Sequence, residues 1–176
     1  EYDRRWMLLE ENKFLTQRSA TQMALFIPAI EDDFISINYK SEKISFGINE
    51  TSEEDIVTKV WDDVTTTNVV SEHVNNWFSR LLERKVTQVK IKSEFSRKHH
   101  NKTKDININV SLADGYPYLL IGEESLRFLN TKLQTTVLMN RFRPNIVVTS
   151  NFPHEEDSWK NIKIGNSDFV NLKPCG

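Results

Sequence analysis

The residues of this chain best suited to chemistry stand in one short stretch, Asn140-Arg141-Phe142-Arg143-Pro144-Asn145, which runs into the apolar Ile146-Val147-Val148. Two guanidiniums flank an aromatic ring, and a proline then fixes the backbone. Arginine is costly to bury without a partner, so two of them beside an apolar strand point to an anionic ligand; the planar fork of donors matches phosphate. On the residues alone, Arg143 has a second reading as a surface ion pair to Glu155 or Glu156. Asn145 could equally be a turn residue that satisfies its own backbone after Pro144. Arg141 is the less constrained of the two arginines, and Arg18, after a hairpin strand, reads on its own as a solvated charge. Asp114-Gly115-Tyr116-Pro117 is a turn signature, with Asp114 free to accept from a ligand or from the turn. Cys175, the only cysteine, is either a small buried hydrophobe or, as a thiolate, a soft ligand for a metal. His99-His100 has no cysteine or carboxylate at ligand spacing and belongs with a basic loop, Arg97 to Lys104, of solvated charge.

Short strands must position these residues. Arg5–Leu9 and Phe14–Gln17 read as a hairpin across Glu10–Lys13. Met23–Ile27 is an apolar run closed by Pro28. Phe34–Tyr39 and Ile44–Ile48 alternate with period two, with Glu42-Lys43 in the turn between them, and Val57–Trp61 adds a strand. Val74, Trp77, Phe78, Leu81 and Leu82 then recur at helical spacing after Ser71, which predicts a helix over 71–83 with Ser71 as its N-cap. Trp77 and Phe78 belong to the core, as do Trp61 and Trp159. Val86–Lys92 is a strand, and the stretch near 97–107 is a loose loop at a boundary. Beyond it, Tyr118–Ile121 reads as a buried strand and Glu123–Asn130 as a helix with acids in its first turn. Ile146–Thr149 and Trp159–Ile164 are further strands.

The bulk properties bound the rest. With 176 residues, 38% of them apolar and 27% charged, the chain has the composition of a water-soluble globular protein of one or two domains. Ten Phe and four Trp suffice for a core. A net charge of −2 gives no basic field for nucleic acid. One cysteine excludes an internal disulfide framework and suits a reducing, cytoplasmic setting. No apolar run is long enough to span a membrane. The charged Glu1-Tyr2-Asp3-Arg4-Arg5 leads straight into a strand, so a piece of a longer protein is expected.

Motifs along nearly the whole chain carry a family resemblance. Tyr2-Asp3-Arg4-Arg5-Trp6-Met7-Leu8 followed by Phe14-Leu15-Thr16-Gln17-Arg18 resembles the β-barrel that precedes a MOSC domain (molybdenum cofactor sulfurase C-terminal). Asp114 to Ile121, then Glu124-Ser125-Leu126 and Leu129-Asn130, resembles the opening of the MOSC domain itself. Arg141 to Ile146, Glu156-Asp157-Ser158-Trp159, Ile164-Gly165 and Lys173-Pro174-Cys175 continue it in order. The chain is similar to bacterial MOSC proteins with a ferredoxin-like tail and to the mitochondrial amidoxime-reducing component.

The resemblance implies an α+β, β-rich fold. A MOSC-type barrel over 1–96 is expected, followed by the first part of a MOSC barrel with a few helices over 105–176. It implies a molybdenum–molybdopterin cofactor lodged between the two, with pyridoxal phosphate as a further ligand of the wider family. Arg143 and Asn145 match positions that hold the cofactor, and Arg18 matches a barrel arginine that reaches its phosphate end. Asp114, Gly115 and Tyr116 match a loop that lines the site, where backbone N–H groups would serve in place of the hydroxyl side chains of other members. Cys175 aligns with the first cysteine of a Cys-x-x-Cys pair whose second member ligates the metal. The ligand proper is therefore expected past Gly176, and the piece alone is expected to be inactive. The implied activity is reduction of small N-hydroxylated or N-oxygenated compounds. Electrons would come from a ferredoxin-like domain, a flavoprotein or a cytochrome b5-type partner, and any iron–sulfur cluster would lie in a further C-terminal domain. Two other classes stay open: a non-catalytic carrier of cofactor or sulfur, and a β-barrel that binds phosphate groups generally.

Overall fold

The structure, a computed structural model, describes residues 2–92, 97–101 and 105–174. It divides into two compact units. The first comprises residues 1–99 and 109–115, the second residues 100–108 and 116–176.

In the first unit, β1 (Trp6–Glu10) and β2 (Lys13–Phe14) form the predicted hairpin, tied by Leu9↔Phe14. Glu11 and Asn12 both take left-handed backbone, as a two-residue hairpin turn requires. The second arm is shorter than Phe14–Gln17, because the Thr16 carbonyl accepts the amides of Ser19 and Ala20 and bends the chain away. Met23–Ile27 is not one extended run. Thr21–Leu25 is a 3-10 turn, and β3 (Ile27–Glu31) starts where it ends. Pro28 lies inside β3, which an edge strand tolerates because one side needs no ladder donor. β4 (Phe34–Tyr39) and β5 (Glu42–Gly47) complete a three-stranded antiparallel sheet. Glu42 and Lys43 belong to β5, and the turn falls at Lys40-Ser41 with Lys40 left-handed.

β6 (Asp55–Val60) and β7 (Asp63–Val69) form a second hairpin across Trp61, whose φ is 55°. β7 escapes the apolar pattern because threonines fill it; Thr65 and Thr67 are buried. Helix α1 (Glu72–Leu82) buries Val74, Phe78 and Leu82, as its spacing predicts. Ser71 has the extended backbone of an N-cap, but its hydroxyl meets His73 Nδ1 rather than the helix backbone. The helix is fastened to β8 (Thr87–Ile91): Gln88 N–H donates to Asn75 Oδ1 at 2.7 Å. β8 pairs with both β7 and β1, closing a barrel in the order β1-β2-β6-β7-β8. The main core joins Leu8, Ile35, Phe46, Val74, Phe78 and Val86, between the barrel, the three-stranded sheet and α1.

The expected basic loop is instead a two-stranded ladder of β9 (Arg97–Asn101) and β10 (Ile106–Val110). β9 lacks an apolar stripe, and Arg97 and Asn101 are its buried residues; β10 alternates Ile106, Ile108 and Val110 with asparagines. In the second unit, β11 (Leu120–Gly122) runs parallel to β12 (Ile146–Val148), and helix α2 (Glu123–Asn130) matches its predicted span. Tyr118 lies outside β11 and is exposed. β13 (Asn161–Ile164) starts after Trp159, whose N–H closes a 3-10 turn on Glu156 O. It pairs with β14 (Ser167–Val170) across Gly165, at a φ of 58° that favours glycine. Among the described residues no helix is long and apolar enough to cross a membrane.

Candidate functional site

The second unit holds Tyr116, Arg143 and Asn145. Met139–Phe142 is a single 3-10 turn, and Arg143 caps it with a left-handed backbone (φ 52°), its N–H on Asn140 O. A non-glycine residue in that region is uncommon and costs conformational energy. Pro144 follows, and Asn145 then locks the chain to the strand beside it. Its Oδ1 accepts Leu119 N–H at 3.0 Å, and its own N–H donates to Leu119 O at 2.8 Å. The side chain of Asn145 thus bonds across to the start of β11 rather than to its own turn. These bonds bring the Arg143–Asn145 segment against the end of the Tyr116–Leu119 segment. The Arg143 side chain is exposed and makes no hydrogen bond or ion pair with the described residues, and the same holds for Arg141. The ion pair to Glu155 or Glu156 is absent. Glu155 takes the N–H of Asn151 at 2.6 Å, and Glu156 Oε1 takes Gly122 N–H at 2.9 Å.

Glu156 caps α2 from a distance, where the helix dipole favours an anion. Burial pushes its carboxyl pKa up, but the Ser125 hydroxyl, the Gly122 N–H and nearby His154 outweigh burial and leave it below the ordinary value. Ser125 is near but misaligned, so Glu156 Oε2 has no well-formed hydrogen bond; the buried Ser150 Oγ beside it has none either. Tyr116 Oη accepts from the buried Asn101 Nδ2 at 2.7 Å.

The first unit holds Arg18, Asp114 and Gly115. Arg18 lies in the turn after β2, exposed and without a partner among the described residues. Asp114 is not free: its carboxylate accepts the indole N–H of Trp61. Trp61, expected in the core, is half exposed at the β6–β7 turn and meets Phe14 edge-on at 5.1 Å. Gly115 faces open space, with nothing within 4 Å of where a Cβ would stand.

Beside this turn lies a residue that sequence reasoning placed in a solvated loop. Arg97 is buried, its side chain 1% exposed. Its Nη2 donates to Ala113 O at 2.5 Å and reaches Asp114 O at 3.3 Å, and its Nε stands 3.3 Å from Asp63 Oδ2. Burial draws its pKa down, and the carboxylates of Asp63 and Asp114 oppose that. His99 Nδ1 stands 3.6 Å from the same Asp63 oxygen. Nothing local marks Arg97 as buried, since Arg97-Lys98-His99-His100-Asn101 is polar throughout.

As a donor, the exposed guanidinium of Arg143 suits a phosphate oxygen, and within the first unit so does that of Arg18. Among the described residues no cluster of His, Cys, Asp or Glu could hold a metal ion. Cys175, the thiol expected nearest the metal, lies outside the described residues.

Known proteins show the same order of parts. Residues 1–85 match the MOSC N-terminal beta barrel domain, and residues 107–176 match the MOSC domain. The chain is 26% identical to molybdenum cofactor sulfurase of Arabidopsis thaliana and 30% identical to that of Bos taurus, in each case over 99% of its length. It covers 24% and 22% of those relatives, so it spans about a quarter of the sulfurases it matches. Mitochondrial amidoxime-reducing component 1 of Danio rerio is 25% identical over 99% of the chain, which covers 56% of that relative. With the barrel domain and the MOSC domain matched in sequence along one chain, and a closed five-stranded barrel where the first should be, the protein belongs to the MOSC-domain family.

Proposed function

We propose that this chain binds a molybdopterin-type molybdenum cofactor and forms part of an oxidoreductase that reduces small N-hydroxylated compounds. The observation that carries the reading is Arg143: an exposed guanidinium without an internal partner, on a left-handed backbone braced by Pro144 and by the bonds from Asn145 to Leu119. The left-handed backbone caps the 3-10 turn, but no bond within the described residues occupies the guanidinium, and a phosphate ligand would. Arg143 would hold the anionic end of the cofactor, and Asn145 would hold Arg143 in register. When bound, the cofactor would supply the two-electron chemistry of N–O reduction, with the protein contributing orientation and electrostatics. Electrons would arrive from a ferredoxin-like, flavin or cytochrome b5-type partner.

The relatives favour a second reading as well. Sulfurases match as much of the chain as the amidoxime-reducing component does, so a module that carries cofactor or sulfur without turnover is the alternative. The first experiment is metal analysis of the purified protein from a host that makes molybdopterin, with fluorescence of the oxidised pterin on the same sample. Molybdenum and pterin near one per chain are expected; pterin absent from intact protein would sink the reductase and the cofactor carrier alike and leave only a carrier of sulfur. Turnover of an N-hydroxylated substrate with a reduced haem or iron–sulfur donor would then select the reductase over the carrier.

A further inference from the structure

The Asp114–Gly115 turn carries two backbone donors that the protein itself does not use. The carbonyls of Ala113 and Asp114 both point at the Arg97 guanidinium. A trans peptide is planar, with its N–H opposed to its C=O. The N–H groups of Asp114 and Gly115 therefore face away from Arg97. Neither finds an acceptor among the described residues. Gly115 adds no side chain to the space in front of them, and that space is open. The far side of the turn is secured twice more. Trp61 holds the Asp114 carboxylate, so that negative charge is drawn off to the barrel's β6–β7 turn, and Asp63 stands against Arg97 Nε. Trp61 stands in the two-residue β6–β7 turn, whose left-handed backbone fixes where its indole lies.

We infer that Arg97 is a positioning residue: by gripping the carbonyls of Ala113 and Asp114 it presents the N–H groups of Asp114 and Gly115 as an anion-facing donor pair. The ligand chemistry is a phosphate oxygen, and assigning it to the cofactor's phosphate rests on the function proposed above. One nitrogen of Arg97, Nη2, meets both carbonyls, and the buried Nε faces Asp63, so the guanidinium is set between the turn and that carboxylate. Stability alone does not require a charge there, since a buried ion pair is often replaced by an apolar side chain without loss.

The test uses the whole chain, labelled for NMR and titrated with inorganic phosphate, as wild type and as Arg97→Met, Arg97→Lys and Trp61→Phe. In the wild type the amide resonances of Asp114 and Gly115 should shift saturably with phosphate. In Arg97→Met the response should weaken at least about tenfold, roughly the loss of one charged hydrogen bond's worth of ordering, while amide exchange in β7 and β8 keeps its wild-type rate. Arg97→Lys, whose one ammonium can donate to both carbonyls, should recover part of the phosphate response that Arg97→Met loses, a rescue that a merely structural role would not give. If Arg97→Met does not fold, Trp61→Phe decides. It keeps the aromatic contact to Phe14, loses the indole–carboxylate bond, and should weaken the same two shifts. Equal responses in wild type and variants, or no response at these amides in the wild type, would overturn the inference. Pterin content measured on the same samples separates the two ideas. A phosphate response that depends on Arg97 in a protein that never acquires pterin would leave the donor pair standing and remove the cofactor.

Discussion

At the scale of residues, Arg143 separates function from stability more cleanly than any other position. Its backbone sits where glycine is at ease and arginine is not. Arg143→Gly should therefore unfold no earlier than the wild type, and up to about 1 kcal/mol of stability is available from relief of that strain. The same variant should lose cofactor. A charged hydrogen bond is worth about 1.5–3 kcal/mol, so Arg143→Ala and Arg143→Gly should retain pterin roughly ten- to a hundredfold less well. Arg141→Ala, in the preceding 3-10 turn and on ordinary backbone, should retain nearly all of it. Pterin fluorescence per mole of protein and the thermal midpoint, measured side by side, check this. Equal retention in Arg141→Ala and Arg143→Ala would refute the division of roles. These two arginines were visible in the sequence because charge beside an apolar run is rare. Arg97 was not, because its burial depends on Ala113, Asp114 and Asp63, which lie far from it in the chain.

At the scale of elements, α2 shows how a cap can come from outside the helix. Gly122 precedes the helix and has no side chain to cap with, so the Glu156 carboxylate, 34 residues on, takes the Gly122 N–H. The fit excludes a larger residue: a Cβ on Gly122 would lie 2.7 Å from Glu156 Oε2 and 2.7 Å from Ser150 Oγ. Gly122→Ala should push the carboxylate off the helix and cost about 1 kcal/mol, the usual value of a cap. The carboxyl pKa is depressed in the folded state, so its contribution to stability is present above the unfolded value and lost as pH falls through the folded one. Glu156→Gln should be less stable than the wild type at neutral pH, and the gap should close on acidification. Urea midpoints across that range test the sign; a gap that widens in acid would show that the carboxylate does not cap α2. The span of α2 was legible because Glu123 and Glu124 open it and apolar residues follow at helical spacing. α1 was legible for the same kind of reason. β7 and β9 were not, since threonine, asparagine and charged side chains fill them, whereas β10 carries a period-two signal in Ile106, Ile108 and Val110. β3 hid behind Pro28, which only an edge position makes acceptable.

At the scale of the molecule, the two units differ in what they bury. The first has the closed barrel and every hydrophobic cluster: Leu9 with Val69 and Val89, Val60 with Ile91 and Leu112, and the large core around Phe46 and Phe78. The second, among its described residues, has no fully buried apolar side chain, while Phe128, Leu138, Val147 and Phe152 are exposed. It holds together by local devices: the Asn145–Leu119 bonds, the Glu156 cap, and Asn130, whose side chain bonds both the N–H and the C=O of Val137. Apolar burial is the dominant favourable contribution to folding, so a unit without it should open first. Native-state hydrogen exchange should find β1, β7 and β8 the most protected elements, and α2, β11 and β12 opening at a free energy several kcal/mol lower. Heating should then give two transitions rather than one, the lower from the second unit. A ligand that binds only the folded second unit must raise that lower transition, by about 2.7 kcal/mol when present at a hundred times its dissociation constant. One cooperative transition with uniform protection would refute this division of stability between the two units.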